Sequence, residues 1–215
     1  MKSIVNGDFS GETVLVRVDF NVPLDDDFNI IDDSRIQSSL PTIKKLILDG
    51  AKIILMSHLG RPSGFEDKLS LKHLLSHLKK LLQTNVFFSQ DCVGEKTLKK
   101  VKSLKKSEVL LLENLRFHQE EVLGDVGFAK NLSSLADVYV NDAFGTSHRK
   151  HASTCVIAQF FPDNRYAGLL LKDEIDNLKA ALNNPKSPFT AIIGGAKISS
   201  KIDVILSLLK KVDTM

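Results

Sequence analysis

The chain has 215 residues, a net charge of +3, 43% hydrophobic and 26% charged side chains, and two cysteines. That length suits one sizeable domain or two small ones, with a core that needs no disulfide or metal staple. The mild charge does not by itself call for nucleic acid or an anionic membrane as partner, no apolar run approaches membrane-spanning length, and the opening "MKSIVNGDFS" lacks the apolar stretch of a signal peptide.

In chain order, short β-rich runs alternate with helical patterns. "TVLVRV", from Thr13, reads as a strand. "SRIQSSLPTIKKLILDGA" reads as a helix, because Ile36, Leu40, Ile43, Leu46 and Ile47 recur near helical spacing; Ser34 stands where a cap is expected and Gly50 where the helix stops. "KIILM" is a strand and "LSLKHLLSHLKKLL" a helix, "NVFF" a strand and "EKTLKKVKSL" a helix. "EVLLLEN" is a strand, "GFAKNLSSLA" a helix and "DVYVNDAF" a strand. Five strands with helical crossovers imply an α/β fold, a doubly wound parallel sheet of Rossmann-like type covered on both faces. After "HASTCVIAQFF" the pattern changes. "GLLLKDEIDNLKAALNN" reads as a helix, "NNPKSP" as a linker, and "FTAIIGGAKISSKIDVILSLLKK" as a strand, a glycine turn and a helix. One strand and one helix form no core of their own. This unit is expected either to join the first sheet or to start a second α/β domain.

In an open parallel sheet, ligands bind beyond the carboxyl ends of the strands. The first strand delivers Arg17, Asp19 and Asn21 there, and the second His58 and Arg61, in "SHLGRPSG". "EVLLLEN" delivers Glu113 and Asn114, followed by Arg116 and His118. "DVYVNDAF" brings Asn141 and Asp142, then His148, Arg149 and His151, and Arg35 opens the first helix. Any one of these arginines alone reads as a surface charge, and Asp19 with Arg17 as a local pair. Together they point to an anion site, because arginine suits planar, bidentate binding of carboxylate and phosphate. The lysines gather elsewhere, in "EKTLKKVKSLKK" and "HLKKLL", and read as solvated helix faces. His73 and His77 have i,i+4 spacing, but without an intervening acid or a third ligand they carry no metal reading. Cys92 and Cys155 form no C-x-x-C motif and read as reduced thiols of a cytoplasmic protein. In "AIIGGAKISSK" a strand runs into Gly194 and Gly195 before a helix bearing Lys197 and Lys201. That is either a phosphate cradle or a plain βα turn, and it is not a Walker A loop.

Taken together, "RVDFNVPL", "SRIQSSLPTI", "MSHLGRP", "LLENLRFH", "VNDAFGTSHRKHAST" and "IIGGAKIS" resemble the phosphoglycerate kinase family, in the family's order and over nearly the whole chain. The resemblance implies a glycolytic, two-domain, monomeric cytoplasmic kinase that transfers phosphoryl between 1,3-bisphosphoglycerate and ADP to give 3-phosphoglycerate and ATP. It implies a glycerate site of Asp19, Phe20, Asn21, Arg35, His58, Leu59, Gly60, Arg61, Arg116 and Arg149, with Arg35 also steadying the phosphoryl group in flight. It implies that Gly195, Ala196, Lys197 and Lys201 meet the nucleotide, with Lys197 at the transferred phosphoryl. The expected divisions are a substrate domain over residues 1–165, a helix and linker over 166–188, and the first βα unit of a nucleotide domain over 189–215. The family's later glycine-rich loop, with its metal-holding aspartate, has no counterpart here. Mg-ATP or Mg-ADP is therefore expected as a substrate whose metal ligands lie outside this sequence, and the chain is expected to be an N-terminal portion, inactive alone. The alternative is a non-catalytic phosphoglycerate-binding module.

Overall fold

The structure is a computed structural model that describes residues 2–183, 186–195 and 201–215. By its contacts the chain divides into two compact units, Met1–Lys172 and Asp173–Met215. The first is built on β1 (Thr13–Arg17), β2 (Lys52–Met56), β3 (Val86–Phe88), β4 (Val109–Leu111), β5 (Val138–Asn141) and β6 (Arg165–Ala167). They form one sheet in the order β3-β4-β2-β1-β5-β6, with every neighbouring pair parallel.

The crossovers are helical, because parallel neighbours need a long return. α1 (Ser34–Leu48), α2 (Leu75–Leu82), α3 (Glu95–Ser103), α4 (Gln119–Leu123) and α5 (Val126–Ser133) lie between strands, and α6 (Leu169–Asn183) follows β6. Side chains alternate between the sheet's faces along each strand, so one run of apolar residues feeds two cores. Val14, Val16, Ile53, Leu55, Val109 and Leu111 pack with Ile36, Leu40, Ile43 and Leu46 of α1 and with Leu78 and Leu82 of α2. Leu15, Ile54, Met56, Leu110 and Tyr139 pack on the other face with Val101 of α3 and with Phe128, Ala129 and Leu132 of α5. The connection from β4 to β5 passes β2 and β1, so the strand order reverses around β1. The loops after β1, β2, β4 and β5 meet at that point.

Several local readings change. The sheet has six strands rather than five; β6 is a three-residue edge strand, too short to show alternation. The helix expected from Leu69 begins as 3-10 turns over Asp67–Leu69 and Leu71–Leu74 before α2. The five-residue α4 adds to the expected elements. Ser34 does not cap α1. Asp33 holds that position, and its carboxylate accepts instead from Gln37 Nε2 and His77 Nε2, each at 2.8 Å. No helix among the described residues is long and apolar enough to cross a membrane.

The second unit contains α7 (Ile202–Leu208). The Asp213 carboxylate accepts from Ser187 Oγ at 2.9 Å and from the Phe189 N–H at 2.7 Å, and Thr190 bridges Thr214. The strand expected over "TAIIGG" is not formed, and Ile192 is 93% exposed. An apolar run becomes a strand only against a neighbouring edge. Among the described residues of this unit, the single Thr190–Thr214 bridge is the only ladder contact.

Candidate anion site

At the end of β1, two nearby polar residues go opposite ways. Arg17 turns inward and is 1% exposed. Its Nε donates to Ser153 Oγ at 2.9 Å, its Nη1 to the Val18 carbonyl, and its Nη2 lies 3.2 Å from His58 Nδ1. It does not pair with Asp19. Asp19 accepts instead from Arg35 Nη1 at 2.6 Å, where Arg35, in the first turn of α1, keeps 52% of its side chain exposed. The Phe20 N–H donates to Ser57 Oγ at 2.8 Å, and Asn21 Oδ1 accepts the Gly60 N–H at 2.8 Å, so the loops after β1 and β2 are tied together.

Gly60 stands at φ +64, and a Cβ there would meet Leu69 Cδ2 at 2.8 Å. Only glycine holds that backbone without strain. The turn aims its carbonyl at Arg116, whose Nη1 donates to it at 2.6 Å. Asn114 sets the next loop: its Oδ1 accepts from the N–H groups of Leu59 at 3.2 Å and Arg116 at 3.0 Å, and its Nδ2 donates to the Leu59 and Leu69 carbonyls. Glu113 is a brace as well, accepting from Ser70 Oγ at 2.7 Å and the Leu71 N–H at 2.9 Å. After β5, Arg149 is half-buried and donates from Nε to His148 Nε2 at 3.2 Å, while Arg61 is exposed.

Asp19, Asn21, Arg35, His58, Gly60 and Arg116 are thus joined by contacts across three loops. Arg61 and Arg149 come close enough to act on Arg116 through their charge. Phe20 and Leu59 bury their side chains in the core and offer the site only main chain. Gly195 lies in the second unit at φ +112, and Lys201 Nζ donates to the Gly194 carbonyl. Ala196 and Lys197 lie outside the described residues. Other sequence candidates turn elsewhere. His118 Nε2 meets Asp91 Oδ1 at 2.9 Å, His73 stacks on Phe28, and Cys92 donates its thiol proton to the Glu113 carbonyl at 3.0 Å.

The electrostatics are one-sided. Burial pulls the His58 pKa down to about 2, helped by the positive charges of Arg17, Arg116 and Arg149, so the imidazole is neutral. Burial also lowers the Arg116 guanidinium, and Arg149 and Arg17 push in the same direction. Glu121, fully buried, is the carboxylate behind Arg17, and Ser153 links the two; sequence reasoning misses both. The signal in "FHQEE" is weak, since nothing marks which glutamate of a polar run turns inward. Guanidinium groups crowded at strand ends, with their carboxylates behind or beside them, form a receptor for an anion with more than one negative group.

The family model described as phosphoglycerate kinase matches residues 4–215. The chain is 54% identical over 208 residues to "Phosphoglycerate kinase, cytosolic" of Triticum aestivum, covering 97% of this chain and 52% of that protein. It is 52% identical over 212 residues to "Phosphoglycerate kinase 1, chloroplastic" of Arabidopsis thaliana, covering 99% of this chain and 44% of that protein. The crystal structure of phosphoglycerate kinase from Pyrococcus horikoshii OT3 superposes with a TM-score of 0.87 at 36% identity, covering 98% of this chain and 53% of that one. The chain spans about half the length of the curated relatives it matches.

Proposed function

The chain belongs to the phosphoglycerate kinase family, and we propose that it holds the glycerate side of phosphoryl transfer between 1,3-bisphosphoglycerate and ADP, yielding 3-phosphoglycerate and ATP. The observation that carries this reading is the cluster of Arg116, Arg149, Arg17 and neutral His58 at the strand-order reversal, where positive charge outweighs the carboxylates. 3-Phosphoglycerate presents a phosphate and a carboxylate, the two groups that guanidinium forks bind best.

In this reading Arg61, Arg116 and Arg149 neutralise the ligand's anionic groups, with His58, Asn21 and the main chain of Phe20, Leu59 and Gly60 fixing its orientation. Asp19 holds Arg35 at the rim, where its exposed guanidinium turns to the phosphoryl group in transit. Phosphoryl transfer needs little covalent help and much positioning and positive charge, which is what these residues offer. The second substrate is the Mg-nucleotide, met by Gly195, Ala196, Lys197 and Lys201. We assign the acceptor domain to residues 1–165, the connecting helix and linker to 166–188 and the start of the nucleotide side to 189–215. The free thiols of Cys92 and Cys155 support a reducing compartment, which we take to be the cytosol.

Calorimetry with 3-phosphoglycerate tests the reading. A charged hydrogen bond is worth roughly 1.5–3 kcal/mol, so Arg61→Ala or Arg149→Ala should weaken binding by about 10- to 150-fold at 1.4 kcal/mol per decade. Lys99→Ala, on α3, should leave it unchanged. Three variants that all bind like the parent chain would refute the site.

A further inference from the structure

We propose that Glu121 and Ser153 are positioning residues for His58: acting through Arg17, they hold its imidazole as the Nε2–H tautomer, so that the ring keeps a donor for an anionic ligand. The use of that donor rests on the anion-site reading above; the tautomer does not.

The chain of donors and acceptors admits one direction. Both oxygens of the Glu121 carboxylate are engaged by one residue: Oε1 accepts from Ser153 Oγ at 2.6 Å and Oε2 from the Ser153 N–H at 2.9 Å. A serine hydroxyl has a single proton. With that proton committed to Glu121, the Ser153 oxygen can only accept from Arg17 Nε, at 2.9 Å. Arg17 Nη1 is held on the Val18 carbonyl, which fixes the plane of the guanidinium and leaves Nη2 at His58 Nδ1, 3.2 Å away. A guanidinium has no acceptor. Nδ1 must therefore offer its lone pair, and the proton of the neutral ring must sit on Nε2.

Without this chain the ring would have a competing choice. Asp19 Oδ1 lies 4.0 Å from the same Nδ1 and would favour a proton there, either as the other tautomer or as an imidazolium. Arg17 blocks that outcome by occupying Nδ1 as a donor, and burial with neighbouring positive charge disfavours the imidazolium. The network is built to be rigid. Glu121 and Ser153 are fully buried and Arg17 nearly so. The Tyr139 hydroxyl donates to the Ser153 carbonyl at 2.9 Å, and the Ala152 N–H donates to the Glu121 carbonyl at 2.9 Å. His151 Nδ1 lies 3.7 Å from Glu121 Oε1 and, among the described residues, is the charged or titratable group within salt-bridge reach of that carboxylate, Arg17 being reached through Ser153. A purely structural buried pair would serve with Glu121 directly on Arg17. The inserted hydroxyl sets the carboxylate one hydrogen bond back from Arg17 and anchors Arg17 Nε, which leaves Nη2 free to reach His58 Nδ1.

The experiment is long-range 1H–15N correlation NMR on the 215-residue chain labelled with 15N-histidine, with calorimetry of 3-phosphoglycerate alongside. The parent chain should show His58 with Nδ1 unprotonated and Nε2 protonated. In Ser153→Ala the Arg17 Nε acceptor is lost, and the His58 signals should move toward a mixture that includes Nδ1–H. Ligand binding should weaken by about 5- to 30-fold, or about 1–2 kcal/mol at 1.4 kcal/mol per decade, while far-UV circular dichroism stays native. Arg17→Lys keeps the charge, loses the fork and should give the same spectral change; it decides the matter if Ser153→Ala fails to fold. Cys155→Ser, exposed and outside the network, should change neither readout. A parent ring carrying Nδ1–H overturns the proposal outright, as does a folded Ser153→Ala or Arg17→Lys chain whose His58 remains wholly Nε2–H. A parent chain that shows the Nε2–H ring but binds no 3-phosphoglycerate would sink the anion-site reading and leave the positioning chain standing.

Discussion

Acidification should destabilise the first unit through His58, and the size of the effect follows from its burial. A free imidazole titrates near 6.5, and His58 in the fold at about 2. Between those values the unfolded chain binds a proton that the folded chain refuses. Unfolding free energy therefore rises with pH across this window: the contribution is complete above 6.5 and is lost progressively as pH falls toward 2. With one proton difference the slope approaches about 1.4 kcal/mol per pH unit. Integrated from about pH 7 to about pH 5, the loss is about 2 kcal/mol, and it stays there for any folded value below about 4. His58 is 5% exposed, so solvent screening does little to reduce the figure. His151 shifts in the same direction through its burial and steepens the raw profile. The comparison is therefore with His58→Gln, which keeps an acceptor for Arg17 and has nothing to titrate. Urea unfolding followed by far-UV circular dichroism at both pH values should show the gap between parent and variant shifting by about 2 kcal/mol against the parent. A gap that is the same at both pH values would mean that His58 titrates alike in both states, and the buried neutral ring would be wrong.

Gly60→Ala should cost about 1–2 kcal/mol from its left-handed backbone alone, with Leu69 having to move aside, and should weaken 3-phosphoglycerate binding because the Gly60 carbonyl holds Arg116; an unchanged urea midpoint would contradict the strain. Amide exchange should be slow at Ile54, in the buried centre of β2, and fast at the exposed Ile192, which pairs with no strand among the described residues; equal protection would show that "TAIIGG" packs against something. Arg149→Ala should raise the unfolding midpoint while weakening ligand binding, since Arg149 adds to the like-charge repulsion on Arg116; a lower midpoint would assign it a structural role instead.

The parallel sheet is readable from the sequence because each central strand is a continuous apolar run that fills two cores at once, as Val14, Leu15 and Val16 do. The elements that escape such a reading are short or depend on distant partners. β6 has three residues and owes its place to pairing with β5, which no local pattern announces. "TAIIGG" has the composition of a strand, but among the described residues it meets only the single Thr190–Thr214 bridge. In the site, the strand-end arginines are visible as a set, but their separate roles are not. Arg17 and Arg61 look alike in the sequence; one is in the core and the other at the surface. The difference lies in Ser153 and Glu121, far along the chain from Arg17. Glu113 and Asn114 look like strand-end polar groups of the site, yet apart from Glu113's bond to the Ser70 hydroxyl their hydrogen bonds go to backbone that must be fixed before Arg116 can point anywhere.

That division between visible cations and hidden braces has a physical cause. A set of guanidinium groups at one end of a sheet repels itself, and a fold tolerates it only if each group is anchored without being cancelled. A carboxylate set directly against the Arg116 guanidinium would neutralise the charge the ligand needs. The anchors are therefore of two kinds. Carbonyl dipoles, from Val18 for Arg17 and from Gly60 for Arg116, fix direction and leave the net charge intact. Full carboxylates stand away from the Arg116 guanidinium: Glu121 behind a buried hydroxyl, and Asp19 paired with the exposed Arg35. The carbonyl anchors require special backbone, which is why the left-handed Gly60 turn and the Asn114 clamp sit between the cations. In the proposed reading, a site built this way is held short of its own electrostatic minimum until an anion arrives. The same imbalance that makes Arg149 a burden to Arg116 in the empty fold is what the proposed reading has it contribute to binding.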